Sequence, residues 1–121
     1  MPSRRTTQVG SLIKEELSDL LRRELKDPGL GFVTLTDVEV SPDLRSARVY
    51  FSVLGEEGAV EQSQAALERA SGFLRRELAQ RLTLRYVPEL QFVLDRSMER
   101  AQRISDLLRE IQAQEAPPDG N

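Results

Sequence analysis

Hydrophobic residues recur at helical spacing in three stretches of the chain and alternate with polar residues in three shorter stretches. The first helical stretch begins near Thr6 or Thr7, because either hydroxyl can accept a hydrogen bond from the first turn. The turn-forming residues 26–29, KDPG, end this helix, since proline disfavours helical geometry in the preceding residue. The apolar stripe between these limits comprises Val9, Leu12, Ile13, Leu17, Leu20, Leu21 and Leu25.

Two strands are predicted next. Residues 32–40, FVTLTDVEV, are rich in β-branched side chains, with alternation best seen at Thr36, Val38 and Val40. Residues 45–54 form the second strand, and the short connection at residues 41–43 predicts an antiparallel hairpin. One face of the second strand carries Ala47, Val49, Phe51 and Val53.

A second helix is predicted from Ala59 to Arg81, followed by a third strand after Pro88. A glycine inside a helix destabilises it by about 1 kcal/mol relative to alanine, so Gly72 predicts an interruption of the helix or a close backbone contact. The apolar face of the helix comprises Leu67, Ala70, Leu74, Leu78 and Leu82. The third strand alternates Leu90, Phe92 and Leu94 and runs through Asp95.

A last helix is predicted after Asp95, which Ser97 can cap, and its apolar stripe needs a partner surface on this domain or on another protein. The stripe comprises Met98, Ala101, Ile104, Leu107, Leu108 and Ile111. The polar, proline-containing segment from Ala113 onward predicts a disordered tail. The pattern predicts one α+β domain over residues 1–96, of order α-β-β-α-kink-α-β with a three-stranded sheet, and a helix with a flexible tail over residues 97–121.

The composition argues against most enzyme and membrane classes. The 121 residues include no cysteine and no histidine, which removes thiol catalysis, disulfides, and the commonest general base and metal ligand. No apolar run approaches the roughly 18 residues of a membrane span, and the N-terminus lacks the apolar core of a secretory signal. The adjacent acids Glu56 and Glu57 lie in a glycine loop, where a solvated role is expected. A cytoplasmic, non-enzymatic protein with no metal site is predicted.

Basic charge is concentrated in two regions although the net charge is −3. Residues 1–26 and 59–88 each carry a net charge of +2, and 15 of the 17 basic residues are arginine. Between Arg69 and Arg85 five arginines accompany a single acid, Glu77. Arginine suits bidentate contact with phosphate, so this helix favours approach to a nucleic-acid backbone. A solvated helix face, or an arginine-rich genome composition, explains the same pattern.

The order of elements resembles the type II KH RNA-binding domain. That domain carries a GxxG loop between its central helices, and here Ala70-Ser71-Gly72 occupies that place. An AxG segment in place of GxxG is characteristic of the ribosome-binding factor A family. The same resemblance is carried by KDP at 26–28, TLTDVEVSPDL at 34–44, ARVY at 47–50, GFLR at 72–75 and LRYVPELQF at 84–92, ending at Asp95. It covers about residues 5–111.

This resemblance implies a KH-like factor without enzymatic activity or cofactor that binds the immature small (30S) ribosomal subunit. It further implies a role in late maturation of 16S rRNA, including 5′-end processing, and in growth in the cold. The expected partners are 16S rRNA within the free small subunit and other assembly factors, for a cytoplasmic monomer with no membrane association. Without GxxG, recognition of a folded rRNA surface is expected rather than the single-strand clamp of a typical KH domain.

The candidate RNA-binding residues come from two sources. By position in the family motif, Ala70, Ser71 and Gly72 form the kink and Arg75 is the basic residue that follows it. Charge and predicted exposure add Arg76, Arg81, Arg85, Arg4, Arg5 and Lys14. The alternative function is a protein-interaction module that docks through its C-terminal amphipathic helix, with the arginines incidental.

Overall fold

The computed structural model describes residues 3–23, 25, 29–55 and 58–115 and has α+β architecture. The elements are α1 (Arg4–Arg23), β1 (Phe32–Val40), β2 (Ser46–Leu54), α2 (Ala59–Arg81), β3 (Glu89–Leu94) and α3 (Ser97–Glu115). The predicted fold class, with its three-stranded sheet and C-terminal helix, is confirmed. The segment 26–28, the acids at 56 and 57, and the end of the predicted tail at 116–121 lie outside the described residues.

The sheet has the strand order β1-β2-β3. Strands β1 and β2 pair antiparallel, which confirms the predicted hairpin. Strands β2 and β3 pair in parallel, from Ser46 opposite Glu89 to Phe51 opposite Leu94. Parallel neighbours need a long crossover, and α2 provides it. This crossover brings the start of β2 and the approach to β3 to the same end of the sheet.

A bulge interrupts β1 at Thr36, because the register with β2 shifts between Leu35 and Asp37. The extra residue lets both Leu35 and Val38 point into the core although they are three positions apart. The predicted alternation of Thr36 with Val38 is therefore wrong at this point. The Thr36 hydroxyl donates a hydrogen bond of 2.6 Å to Asp95 Oδ2, which connects β1 to the end of β3.

Helices α1 and α2 cover one face of the sheet, and the core lies between these two layers. The apolar residues predicted for the first two helices are buried or partly buried, with the exception of Leu12, which is 46% exposed. At the start of α1, Ser3 rather than Thr6 or Thr7 caps the helix, since Ser3 Oγ accepts from the Thr6 backbone N–H at 3.1 Å. The buried helical side chains include Val9, Ile13, Leu17, Leu20, Leu67, Leu74 and Leu78, and those of the sheet include Val49, Phe51 and Phe92.

Helix α2 runs through Gly72 without a break, so the predicted interruption of the helix there is not found. The reason lies in its neighbours: Ala70 and Leu74 are both buried against the sheet and fix the helix on either side of the glycine. The penalty for one helical glycine, about 1 kcal/mol, is smaller than the stabilisation from such burial. Gly72 itself is exposed.

Helix α3 extends from the end of β3, and its described side chains from Glu99 to Gln114 are exposed. The described part of its apolar stripe, from Ala101 onward, therefore does not pack on this domain. The larger members of the stripe are between 46% and 57% exposed: Ile104, Leu107, Leu108 and Ile111. Residues 113–115, which were predicted to be disordered, belong to α3.

Candidate nucleic-acid interface

A groove of about 820 Å³ lies where the C-terminal half of α2 faces the segment that leads into β3. One wall is α2, the other is the segment 84–87, and Arg45 closes the end next to the sheet. The groove is lined by Arg45, Gly72, Arg75, Arg76, Ala79, Leu84, Arg85, Tyr86 and Val87. Four arginines thus line one concave surface.

Among the residues that the structure describes, none that lines this groove is acidic. An acid close to it is Asp43, whose carboxylate accepts a hydrogen bond from the Arg45 backbone N–H at 3.1 Å. The Ser41 hydroxyl bonded to Asp43 lowers the pKa of that carboxyl below its usual value, and the Arg45 N–H adds to the effect. Asp43 therefore stays ionised, but its bonds are directed into the hairpin turn. The groove retains the strong positive character that attracts phosphate.

The segment opposite α2 is held in place at several points. Pro88 is fully buried, and the Glu89 backbone N–H donates to the Arg45 carbonyl at 2.8 Å. Arg75 Nη2 donates to the Val87 carbonyl at 3.1 Å, so this arginine connects the two walls. These contacts fix the position of the segment relative to α2.

An exposed aromatic ring completes the groove. Tyr86 is 68% exposed, and the guanidinium carbon of Arg85 lies 5.6 Å from the centre of its ring. That distance is within the range of a cation–π contact. The groove therefore presents both a cationic lining and an aromatic surface.

Four of the predicted residues meet in this groove: Gly72, Arg75, Arg76 and Arg85. The other two residues of the predicted kink, Ala70 and Ser71, do not line the groove. Ala70 is buried in the core, and Ser71 is half-buried with its hydroxyl donating to the Glu68 carbonyl at 2.9 Å.

Arg81 lies outside the groove and connects α2 to α1. Its Nη1 atom is 3.0 Å from Glu16 Oε2 and 2.8 Å from Asp19 Oδ2. The hydrogen bond from Arg81 lowers the pKa of Asp19 below its usual value, so the pairs persist at neutral pH. Arg81 is close to the end of the helix, where α1 packs alongside, and this explains why its charge is directed to α1 rather than to the groove.

The predicted residues of α1 lie in a different part of the molecule. Arg4 and Arg5 are exposed, and Lys14 is half-buried. Lys14 lines a second groove, of about 730 Å³, between the N-terminal half of α1 and the end of β1. Asp37 and Glu39 also line it, so this groove has mixed charge and no lining residue in common with the arginine groove.

Two residues that line the groove, Arg45 and Tyr86, were not among the predicted RNA-binding residues. Arg45 precedes β2 and is far from α2 in sequence, so its position depends on the parallel pairing of β2 with β3. Tyr86 carried a usable signal, because proteins that bind single-stranded nucleic acid combine aromatic stacking surfaces with basic side chains, and Tyr86 follows Arg85 directly.

Within the described residues, the structure contains no group of three or more acidic side chains that could hold a metal ion. In that same part of the chain, no helix is long and apolar enough to cross a membrane.

Comparison with known proteins identifies one family. The family model for ribosome-binding factor A matches residues 5–108. A ribosome-binding factor A from Heliobacterium modesticaldum is 54% identical over 112 residues, which are 93% of this chain and 93% of that protein.

Solved structures give the same result. The crystal structure of ribosome-binding factor A from Thermus thermophilus is 30% identical, with a TM-score of 0.67 over 76% of this chain and 98% of that one. A homology model of the Thermus thermophilus factor, fitted into a cryo-EM map of a 30S–RbfA complex, has a TM-score of 0.63 at 30% identity over 75% of this chain and 96% of that one. With the family model spanning most of its length and a relative sharing more than half of its residues, the chain belongs to the ribosome-binding factor A family.

Proposed function

We propose that this protein is a non-catalytic assembly factor that binds the immature small (30S) ribosomal subunit through 16S rRNA. The observation that carries the proposal is the convergence of Arg45, Arg75, Arg76 and Arg85 on one groove beside Gly72. Membership of the ribosome-binding factor A family supports it, as does the relative placed in a 30S complex.

The groove is suited to an RNA backbone for two reasons. Guanidinium groups donate in a planar fork that matches phosphate oxygens, so several of them can hold successive phosphates. Gly72 presents no side chain, which lets a ribose-phosphate chain approach the helix closely. Arg75 already donates one bond to Val87, so it is held in position before RNA arrives.

The finer parts of the proposal concern maturation. Bound at the groove, the protein would hold rRNA in a premature conformation until later factors displace it. We extend the proposal to late maturation of 16S rRNA, including its 5′ end, to growth in the cold, and to action as a cytoplasmic monomer without cofactor. Residues 1–96 would be the unit that binds RNA. The arginines of the groove would contact phosphate and would have no catalytic role.

Co-sedimentation of the full-length protein with isolated small subunits, over a salt series from about 50 mM to 200 mM, tests the proposal. Wild type should bind with strong salt dependence, because each phosphate contact releases counterions. The Arg75→Glu/Arg76→Glu variant should lose most binding, and the slope of its log affinity against log salt concentration should decrease in magnitude by roughly 1.4 to 1.8, since two contacts disappear.

The charge-matched control is Arg48→Glu/Arg100→Glu, which alters two exposed arginines outside the groove lining. It should bind nearly as well as wild type. Thermal unfolding of each variant checks that the fold is retained. Affinity that is flat with salt, or equal loss of binding in both double variants, would contradict the proposal.

The exposed stripe of α3 favours a second candidate function, docking to a protein partner. Replacing Leu107 and Leu108 by serine distinguishes the two, because neither side chain lies near the arginine groove. Subunit binding should persist in this variant if the groove carries it. Loss of binding in this variant, with retention in the Arg75→Glu/Arg76→Glu variant, would favour the second candidate.

A further inference from the structure

We infer that the arginine groove takes an unpaired nucleotide of RNA, with its base stacked on Tyr86 and the flanking phosphates on the arginines. This inference rests on the proposed function, and it specifies which form of RNA the groove recognises. It does not follow from charge, because a duplex backbone satisfies arginines equally well. The exposed ring of Tyr86 favours an unpaired nucleotide over a duplex, because only an unstacked base can lie on it.

The exposure of Tyr86 is the first observation. The ring is 68% exposed within an otherwise anchored segment, although Pro88, two residues later, is fully buried. Packing within the domain therefore does not explain an aromatic residue at this position. Arg85 lies over the ring at 5.6 Å from its centre, which supports one face and leaves the ring available as a platform. Arginine and tyrosine side by side both present flat surfaces to a base.

The rigidity of the platform is the second observation. The segment that carries Tyr86 is bonded to α2 through the Arg75–Val87 contact of 3.1 Å. It is bonded to the sheet through the Glu89 N–H and the Arg45 carbonyl, 2.8 Å apart. Because the backbone that carries the ring is fixed in this way, it loses little conformational freedom when a base stacks on Tyr86, so stacking there contributes efficiently to affinity.

Groove size and charge complete the argument. A volume of about 820 Å³ lies within the range of roughly 300–1,000 Å³ that holds small ligands. The groove therefore has room for a base beside the phosphates that the arginines contact. Bases inside an A-form duplex are already stacked and cannot lie on Tyr86, whereas bases unstacked from a folded rRNA surface can.

Direct binding of short RNA tests the inference with full-length protein. The probes are an adenosine octamer, the same octamer made abasic, and a duplex of equal length. Tyr86→Ala should weaken octamer binding by roughly 5- to 100-fold, as expected for loss of one stacked base. Tyr86→Phe keeps the ring and should stay within about twofold of wild type, because stacking needs no hydroxyl. Phe32→Ala removes another exposed aromatic ring, 80% exposed and outside the groove lining, and is the matched control.

Tyrosine emission supplies a second readout. The chain has 2 tyrosines and no tryptophan, so the Tyr50→Phe variant reports on Tyr86 alone. A stacked base should quench this emission on saturation with the octamer and leave it unchanged with the abasic strand. Unchanged emission with saturating octamer would overturn the inference. So would an equal loss of octamer and abasic affinity in Tyr86→Ala, or tighter binding of the duplex than of the octamer.

The subunit assay separates this inference from the proposed function. One outcome is that wild type and Tyr86→Ala sediment equally well with subunits while wild type does not bind the octamer. The nucleotide site is then overturned and the assembly-factor proposal stands. Octamer binding that depends on Tyr86, together with no subunit binding by wild type, supports the nucleotide site and overturns the proposed function.

Discussion

Replacing Gly10 by alanine should destabilise the protein by forcing α1 away from the sheet. A Cβ atom at this position would lie 2.7 Å from the Val38 carbonyl oxygen, a separation that real Cβ atoms essentially never show. The atom it meets belongs to the backbone of β1, which the antiparallel ladder fixes, so the helix has to move by several tenths of an ångström. Overpacking of this kind typically destabilises by about 1–3 kcal/mol.

The gain in helix propensity partly offsets this loss, because alanine stabilises a helix interior by about 1 kcal/mol relative to glycine. Gly72→Ala is the matched control, since a Cβ there would meet only the end of the Arg76 side chain, at 3.5 Å. Gly72→Ala should therefore raise the free energy of unfolding by about 0.5–1 kcal/mol. The propensity term cancels between the variants, so their difference, about 1–3 kcal/mol, measures the clash at Gly10.

Urea unfolding of both variants, followed by circular dichroism, provides the two free energies. Equal values for Gly10→Ala and Gly72→Ala would refute the close approach of α1 to β1. The same Gly72→Ala variant also addresses function, because its new methyl group lies in the groove. Subunit binding should weaken even as stability rises, and binding unchanged from wild type would contradict close approach of RNA at Gly72.

Further predictions address other parts of the molecule. Arg81→Ala removes the ion pairs of Arg81 with Glu16 and Asp19, so chemical unfolding should report a small decrease in the free energy of unfolding while subunit co-sedimentation stays unchanged. The Thr36 hydroxyl holds the pKa of Asp95 below its usual value. The stabilisation by this carboxylate is therefore complete above the unfolded-state pKa of about 3.9 and is lost as the pH falls through the lower folded-state pKa. In Asp95→Asn, the urea midpoint of unfolding should depend less on pH in this acid range. Replacing Leu107 and Leu108 by serine should leave the free energy of unfolding within about 0.5 kcal/mol, because both side chains are exposed.

Much of the fold followed from local patterns. Helical spacing predicted which face of α2 enters the core, and alternation placed β2 and β3 within one residue of their observed ends. Two expectations failed because tertiary contacts outweighed local preference. Gly72 does not break its helix, since Ala70 and Leu74 are anchored on both sides of it. The bulge at Thr36 was invisible in the sequence, because a shift of register depends on the partner strand.

The sequence by itself determined the elements, the class of fold and the family motifs, because helical and strand periodicity record which side of each element faces the core. It also located the charge on α2. Only the tertiary structure decided which charges act together. Arg81 and Arg76 are similar residues on one helix, yet Arg81 pairs with Glu16 of α1 whereas Arg76 lines the groove. Arg45 joins that groove because β2 and β3 pair in parallel, and no local pattern determines a contact between residues so far apart in the chain.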